Sequence, residues 1–354
     1  MTPAELFALP SVYERLAKCG LPVYLYGTGD GADKILDALI ARKIPVKGVF
    51  ASDGFVRERN FRGFPVESLT DVEKREGKIA AVLCFGLEGE GAFSFLRSIG
   101  EKHLLVSPAV PVYGEGELTK EWLFAHGADL DRIYGWLEDD LSRDLYTRVL
   151  AYHITGDISY LECEGDTLSA PAAYFDHSAY HLDVGAYDGD TALEYLAGNP
   201  GCKKIIAFEP NPKTYAKLVR NTDPTRVECI LAACGKEDGT ATQTGSGRGS
   251  RLEEGEGDVV IRSLDSVCGY PFIGSEGLPV GSVKIDAEGE DIPVLQGAGN
   301  LITACKPALC VSAYHRAYDL LEIPLHIKRL NYKGRLYFRK KPYVPAWDTV
   351  FYLI

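Results

Sequence analysis

Residues 182–190 read Leu-Asp-Val-Gly-Ala-Tyr-Asp-Gly-Asp, and residues 205–212 read Ile-Ile-Ala-Phe-Glu-Pro-Asn-Pro. In each stretch a short apolar run, typical of a buried strand, ends in a carboxylate, Asp183 in the first and Glu209 in the second. A glycine-rich turn and a helical segment follow Asp183. This order predicts two neighbouring parallel strands with a nucleotide site at their carboxyl ends, where open α/β sheets bind ligands.

The turn between the two strands is acidic, and this restricts the ligand. A pyrophosphate site favours G-x-G-x-x-G and a bare helix N-terminus, whereas this turn carries Asp183, Asp188 and Asp190. These carboxylates would repel phosphates, but they suit a ligand with a cationic amino group and no phosphate. S-adenosylmethionine (SAM) is such a ligand, so we predict SAM as the cofactor in preference to a dinucleotide. Glu209, which closes the second strand, can accept hydrogen bonds from both ribose hydroxyls.

The composition is that of an acidic globular protein. The 354 residues carry a net charge of −12 and a sequence pI of about 5.2, which argues against a broad contact surface for nucleic acid. The sequence contains no stretch of about 20 apolar residues, so we predict no membrane span. Residues 1–20 lack the pattern of a signal peptide. The nine cysteines form no Cys-x-x-Cys pair, so we expect reduced thiols, no structural zinc and a cytoplasmic location.

The order of the predicted elements divides the chain into three blocks. Residues 1–112 alternate strands and helices, which predicts a small Rossmann-like α/β domain. Residues 113–175 place Trp and Leu side chains at helical spacing, which predicts a helical linker region. Residues 176–354 contain the acidic turn and a longer α/β pattern.

The third block predicts a seven-stranded, Rossmann-like sheet. We expect strands near 181–184, 204–208, 227–232, 259–262, 282–286, 308–313, 334–339 and 349–354, and helices near 191–197, 212–220, 290–298 and 318–329. No helix is predicted between the last two strands, so an antiparallel terminal hairpin closes the sheet, as in SAM-dependent methyltransferases. Residues 239–257, rich in Gly, Ser and Thr, predict an exposed loop or hairpin.

The third block contains six short motifs, the first of which includes the acidic turn. In order, the segments are Asp183–Thr191, Ala207–Pro212, Ser263–Ser266, Val283–Asp291, Val294–Gly297 and Ser312–Arg316. Together they resemble the FkbM family of methyltransferases, and Leu137–Arg143 with Ile154–Asp157 is similar to the helical lead-in of some bacterial members. The resemblance implies SAM-dependent methylation, usually of a hydroxyl oxygen on a sugar or a secondary metabolite. It does not fix the acceptor.

The candidate cofactor-binding residues lie in and beside the first three strand ends. Asp183 could order the turn or reach the methionine part of SAM, or it could only cap the following helix. Asp188 could meet the amino group of SAM or be an exposed surface acid, and the two glycines fit either close backbone approach or the turn itself. The full set is Asp183, Gly185, Asp188, Gly189, Glu209, Asn211 and Ala233. Glu209 could instead cap the helix that follows it, Asn211 could neighbour the adenine, and Ala233 could flank the adenine or serve only as packing.

Three side chains beyond the next two strands are candidates for catalysis: Asp286, Glu288 and His315. A hydroxyl is a poor nucleophile at neutral pH, so methyl transfer to it needs a base, a metal or close alignment. Asp286 is the first candidate base, with a structural acid at the following turn as the alternative. His315 suits proton transfer because its ordinary pKa is about 6.5. Asp286 with Glu288 or His315 could also hold a divalent cation, but no ligand set is evident and we predict no metal.

The first block carries a weaker nucleotide pattern. Gly27, Gly29 and Ala32 follow G-x-G-x-x-A, and Asp53 follows the next predicted strand. A nucleotide-sugar oxidoreductase or epimerase that uses this site is therefore one alternative function, and a non-catalytic scaffold with a methyltransferase fold is another. We expect a small-molecule acceptor, a carbohydrate or natural product, and neither nucleic acid nor membrane as a partner. A homo-oligomer is compatible with the sequence.

Overall fold

The protein contains two main β-sheets, one formed before residue 107 and one after residue 179. The structure is a computed structural model, and it describes residues 1–56, 60–163, 170–175, 179–244, 251–254, 257–330 and 332–354. Among the helices of these residues, none has both the length and the apolar character needed to cross a bilayer. The division of the chain at residues 112 and 175 stays a prediction.

The first sheet confirms the Rossmann-like prediction. Its order is β3-β4-β2-β1-β5-β7, and every neighbouring pair is parallel except β3 with β4. The strands are β1 Val23–Tyr26, β2 Val46–Ala51, β3 Asn60–Phe61, β4 Phe64–Ser68, β5 Ala80–Leu83 and β7 Leu104–Val106, with the separate β6 at Leu87–Glu88. The helices are α1 Pro3–Leu6, α2 Val12–Lys18, α3 Asp30–Ala41, α4 Leu69–Glu76 and α5 Glu90–Gly100. All residues of β1 and β5 are buried, as expected for central strands of a parallel sheet.

Helices occupy the middle of the chain, as the apolar spacing predicts. They are α6 Lys120–Ala125, α7 Gly127–Trp136, α8 Asp140–Thr155 and α9 Ala172–Phe175. The long helix α8 contacts both sheet regions. Its Tyr152 hydroxyl lies 3.1 Å from the Ser107 hydroxyl, just after β7, and its Tyr146 hydroxyl donates to the carbonyl of Leu320 at 3.1 Å.

The second sheet has seven strands in the order β10-β9-β8-β15-β16-β19-β17. The strands after α9 are β8 Tyr180–Val184, β9 Lys204–Phe208, β10 Val227–Ile230, β11 Ala233–Cys234, β12 Gly239–Thr244, β13 Arg251–Glu254, β14 Val259–Arg262, β15 Val280–Ile285, β16 Ala308–Ser312, β17 Leu336–Lys340, β18 Tyr343–Val344 and β19 Thr349–Leu353. Neighbours from β10 to β16 pair in parallel, whereas β19 is antiparallel to β16 and β17. The predicted seven-stranded sheet with its terminal hairpin is therefore confirmed, although the strand predicted near 259–262, β14, belongs to a smaller sheet.

The structure contains the four predicted helices of this region and two that were not predicted, at Leu264–Cys268 and Gly299–Cys305. The helices are α10 Asp190–Gly198, α11 Pro212–Asn221, α12 Leu264–Cys268, α13 Asp291–Gln296, α14 Gly299–Cys305 and α15 Asp319–Arg329. The helix predicted over 290–298 is present as α13, and a second helix, α14, follows it after a break at Gly297. Gly297 packs against the backbone of Gly235, where a Cβ would lie 2.1 Å from the carbonyl oxygen.

Two smaller sheets complete the fold. β12 and β13 pair as an antiparallel hairpin within a four-stranded sheet of order β11-β14-β12-β13, which confirms the hairpin predicted within residues 239–257. Residues 245–250 and 255–256 of that prediction lie outside the described residues. β18 pairs with β6, so the turn of the terminal hairpin contacts the segment that follows β5.

An ion pair attaches the start of α8 to the terminal hairpin. Asp139 caps α8 by accepting from the Ser142 amide at 2.7 Å, and it accepts from Arg339 Nη2 at 2.7 Å. Arg339 also donates to the Ser142 hydroxyl at 2.8 Å. Partial burial alone would raise the pKa of Asp139, but the hydrogen bonds from Arg339 and Ser142 outweigh it and lower this pKa to about 2.

The turn after β8 approaches the backbone of β15 closely. Gly185 has a φ of 73°, and a Cβ at this position would lie 2.0 Å from the carbonyl oxygen of Asp286. At Gly189, with a φ of 95°, a Cβ would lie 2.9 Å from the Thr222 side chain. Both glycines are therefore required by the packing of the protein itself, whatever ligand lies near them.

Replacing Asp139 with asparagine should keep the helix cap and remove the charge. Because the folded-state pKa of about 2 lies below the ordinary 3.8, the stabilisation is present above about pH 4 and is lost as the pH falls towards 2. We expect D139N to lower the free energy of unfolding by about 1 kcal/mol at pH 7, since the carboxylate is partly exposed, and by clearly less at pH 3. Urea unfolding at both pH values measures this. The control D140N removes the exposed neighbouring charge and should change little, and an equal loss for D139N at both pH values would contradict the explanation.

Replacing Gly185 with alanine should distort the turn. The left-handed backbone and the contact with Asp286 together predict a loss of about 2–5 kcal/mol in the free energy of unfolding, measured by urea titration. The matched control is G299A at the start of α14, where a Cβ has open space and the φ is not positive, so alanine should be neutral or slightly stabilising. Equal stability of the two variants would show that the turn relaxes without cost.

Candidate active site

Four neighbouring strands of the second sheet end at the same edge and bring the predicted residues together. β9, β8, β15 and β16 are adjacent and parallel, so their carboxyl ends lie side by side. Glu209 follows β9, Asp286 follows β15 and His315 follows β16. The acidic turn after β8 lies between the ends of β9 and β15. This edge is where open α/β sheets place their ligands.

Glu209 spans the gap between the first two strand ends. One oxygen of its carboxylate accepts a hydrogen bond from the amide of Tyr187, in the turn after β8, at 3.1 Å. The other oxygen accepts from the amide of Asn211, on the same side of the gap as Glu209, at 2.8 Å. The residue is only 7% exposed. Burial raises the pKa of Glu209, and the two backbone amides offset this only in part.

Asp183 is completely buried, and its two oxygens already have partners within the protein. One oxygen accepts from the Thr191 hydroxyl at 2.8 Å, and the other lies 3.2 Å from the Lys284 ammonium. These contacts attach the start of α10 to the sheet and favour the structural interpretation of Asp183. A direct contact between Asp183 and a cofactor stays a prediction.

The other predicted cofactor residues lie around the same turn. Asp188 is half-buried, and its backbone carbonyl accepts from the Asn221 amide group at 2.9 Å. Asn211 caps α11, with its side-chain oxygen accepting from the amides of Lys213 and Thr214. Ala233 is buried in β11, which pairs with β14. The cap on α11 leaves less of Asn211 for an adenine contact than the sequence suggests.

His315 lies buried between carboxylates at the ends of β15 and β16. Its Nδ1 is 2.9 Å from an Asp291 oxygen, and its Nε2 is 3.3 Å from Asp286 Oδ1 and 3.9 Å from Glu288 Oε2. The Asp286 side chain is 30% exposed and that of Glu288 is 50% exposed. All three predicted catalytic residues therefore meet at one point that is accessible from solvent.

The charged groups at this point shift one another's pKa values. Burial alone would raise the pKa of Asp286, but Lys284 and His315 outweigh it and hold this pKa well below its usual range. Burial alone would lower the pKa of His315, but Asp291 and Asp286 raise it well above its ordinary value. Without another cation at the site, His315 is therefore protonated at neutral pH and orients its neighbours, whereas Asp286 is ionised and accepts hydrogen bonds.

Two acids of this cluster were missed by the sequence reasoning. Asp291, at the start of α13, accepts from the amides of Ala287 and Gly289 at 2.9 and 3.3 Å. Asp319, at the start of α15, accepts from the amide of Arg316 at 2.7 Å. Burial and the nearby Asp291 raise the pKa of Asp319 to about 7. An acid in the first turn of a helix is a common capping signal, so the sequence pattern gave no reason to place either one beside His315.

A small crevice, of about 20 Å³, lies next to Tyr314 and is formed by several parts of the chain. The Tyr314 hydroxyl donates to Asp286 Oδ1 at 3.3 Å, and the amide of Tyr113 donates to the carbonyl of His315 at 2.8 Å. The Arg316 guanidinium lies 4.5 Å from the centre of the Tyr113 ring. The crevice is lined by Pro111, His153, Tyr314, Arg316, Ala346 and Trp347, among others. Burial lowers the pKa of His153 to about 4, so this imidazole is neutral.

In the first sheet, Asp53, the acid predicted to contact a nucleotide, already has hydrogen-bond partners within the protein. The carboxylate of Asp53 accepts from the Thr70 amide at 3.2 Å and from the Thr70 hydroxyl, at the start of α4. A Cβ at Gly27 would lie 2.5 Å from the Phe85 ring, so that ring packs directly on the turn. These contacts give Gly27 and Asp53 structural roles and weaken the alternative of a dinucleotide site here.

Comparison with solved structures identifies a relative along the whole chain. The crystal structure of a methyltransferase FkbM from Methylobacillus flagellatus KT matches with a TM-score of 0.62 and 19% identity, covering 99% of this chain and 95% of that one. At this identity the match establishes a shared fold. Fibrillarin from Aeropyrum pernix and a precorrin-6y C5,15-methyltransferase from Geobacter metallireducens GS-15 match about half of the chain, 51% and 54%, covering 68% and 90% of their own chains. Their identities are 10% and 9% and their TM-scores 0.30 and 0.31.

The family comparison agrees with the motifs. Residues 183–333 match the family described as Methyltransferase FkbM domain. No curated protein matches the chain. The matched range begins at Asp183 and includes Glu209, Asp286 and His315. The chain therefore carries a methyltransferase FkbM domain at residues 183–333 and is a SAM-dependent methyltransferase.

Proposed function

We propose that the edge formed by β9, β8, β15 and β16 transfers a methyl group from SAM to a hydroxyl of a small acceptor, a sugar or a secondary metabolite. The observation that carries the proposal is the position of Glu209 and Asp286 on either side of the turn after β8. One carboxylate would hold the donor and the other would face the acceptor. SAM supplies an electrophilic methyl group on a sulfonium, and the residues of the chain supply binding and alignment.

The chemistry of the donor side fits a nucleoside without phosphates. Each carboxylate oxygen has two lone pairs, and each oxygen of Glu209 uses one on a backbone amide. The remaining lone pairs can accept from two vicinal ribose hydroxyls. The acids of the turn, among them the half-buried Asp188, would attract a cationic donor and disfavour a phosphate.

The acceptor side would work mainly through alignment. In the transfer, the acceptor oxygen forms a bond to the methyl carbon, the carbon–sulfur bond breaks, and the hydroxyl proton leaves. Asp286 is ionised and 30% exposed, so it can accept a hydrogen bond from the hydroxyl and align its oxygen, and the proton released as the new bond forms passes to water.

Replacing Glu209 with glutamine should weaken donor binding. Loss of two charge-assisted hydrogen bonds predicts about 10–100-fold weaker binding of S-adenosylhomocysteine, measured by calorimetry. The matched control is E228Q on the neighbouring β10, where the exposed carboxylate only pairs with Lys204. Thermal unfolding of both variants checks that the fold is kept. Unchanged affinity in E209Q would rule out the proposed role of Glu209.

The reaction type can be tested with SAM labelled with ¹³C in the methyl group. Incubation with a panel of sugars and hydroxylated natural products should give a product whose methyl carbon shift in ¹H–¹³C NMR is that of an O-methyl group. D286N should lower kcat by about 10²-fold or more and leave the affinity for S-adenosylhomocysteine nearly unchanged, whereas E228Q should do neither. A product methylated on nitrogen, sulfur or carbon would overturn the proposed acceptor class. A D286N enzyme with normal kcat would overturn the role of Asp286.

A further inference from the structure

The buried ring of His315 has one nitrogen that no hydrogen bond reaches. Nδ1 lies 2.9 Å from Asp291, but Nε2 has no hydrogen-bond partner although its surface is buried. The side chain is only 1% exposed. Without a cation, this nitrogen carries a proton whose charge is compensated by Asp286 at 3.3 Å, and a bound divalent ion would take the place of that proton between the same groups.

The surroundings of this nitrogen are those of a cation site. Asp286 Oδ1 is 3.3 Å from Nε2 and Glu288 Oε2 is 3.9 Å from it. Ligands about 2.0–2.2 Å from one metal ion are separated by about 3–4 Å, so each carboxylate oxygen lies at a suitable distance from Nε2. The partly exposed side chains of Asp286 and Glu288 would turn towards each other to share an ion with it. Lys284 contacts the other oxygen of Asp286, at 3.8 Å, and leaves Oδ1 directed towards His315.

Asp291 holds the ring in the orientation that such a site needs. It is fixed by the amides of Ala287 and Gly289, and it accepts from Nδ1 of His315. A carboxylate on one ring nitrogen fixes the tautomer in which the other nitrogen is free to bind a metal. Asp291 is thus a positioning residue and not a ligand.

A second set of possible metal ligands that includes His315 is less suitable for binding an ion. Asp291, His315 and Asp319 also bring three possible ligand atoms within 4.8 Å of one another, but all three residues are buried. Nδ1 and both oxygens of Asp291 already have partners there. The ligand set on the Nε2 side has exposed carboxylates, so an ion and a further ligand can reach it.

We propose that His315 Nε2, Asp286 and Glu288 bind a divalent cation of the Mg²⁺ or Mn²⁺ type. One imidazole and two carboxylates suit Mn²⁺ well, and hard carboxylate oxygens suit Mg²⁺. The exposed side of the site leaves coordination positions for water or for the acceptor hydroxyl. The cation would lower the pKa of a bound hydroxyl, and this last role rests on the proposed function.

Binding can be measured directly with Mn²⁺, without SAM or an acceptor. The full chain is treated with EDTA, freed of the chelator and titrated with Mn²⁺, and the free ion is followed by electron paramagnetic resonance. We expect one bound equivalent with a Kd below about 1 mM. D286N and E288Q should each weaken binding at least about tenfold, and E228Q should bind as the wild type does. Mg²⁺ should displace the bound Mn²⁺.

The exposed acids are chosen because a variant of the buried His315 could fail to fold. Thermal unfolding in EDTA should show that D286N and E288Q keep the wild-type fold. Absence of Mn²⁺ binding at about 1 mM, or equal binding by D286N, E288Q and the wild type, would overturn the proposed site. Either outcome would leave SAM binding and methyl transfer to be judged by the E209Q and labelling experiments, so the two proposals fail separately.

Discussion

The active-site edge depends on one buried ammonium group, that of Lys284 near the end of β15. It donates to the carbonyl of Gly185 at 2.8 Å and lies 3.2 Å from Asp183 and 3.8 Å from Asp286. Burial alone would lower the pKa of Lys284, but the two carboxylates raise it well above its ordinary value. Removal of Asp183, the nearer and fully buried carboxylate, would leave much of this buried charge uncompensated, which costs far more than the loss of a surface ion pair. The turn after β8 and the end of β15 are therefore fixed relative to each other before any ligand arrives.

This arrangement divides the acids of the site into two groups. Asp183 and Asp291 are buried and hold backbone, lysine and histidine in place. Glu209, Asp286 and Glu288 stand at the strand ends with oxygen atoms that can meet a ligand. The first group supplies the rigidity on which alignment depends, and methyl transfer gains most of its rate from alignment. The second group supplies the chemistry, at an edge that is already charge-balanced by Lys284.

The sequence was sufficient for features that depend on local pattern. Apolar runs that end in Asp183 and Glu209 predicted parallel strands, and the absence of a helix before β19 predicted the antiparallel hairpin. Features that depend on contacts between distant segments were not predictable in this way. Gly185 is required by the backbone of Asp286, about 100 residues later, and short strands such as β6 and β18 have too few residues to carry a pattern. The break between α13 and α14 likewise depends on close packing against Gly235.

Segments outside the FkbM domain contact the end of β16, next to the proposed acceptor side of the site. The domain match covers residues 183–333, yet the small crevice next to Tyr314 is also lined by Pro111, His153 and Trp347, which lie outside that range. The segment containing Tyr113 is held to the end of β16 by a backbone hydrogen bond, and β18 is held to β6 by strand pairing. Proteins that share the strand-end acids but differ in these flanking segments would present different walls to the acceptor. Choice of acceptor is thus expected to follow the flanking segments, whereas donor binding follows the strand ends, and this explains why the motifs identify the reaction without identifying its substrate.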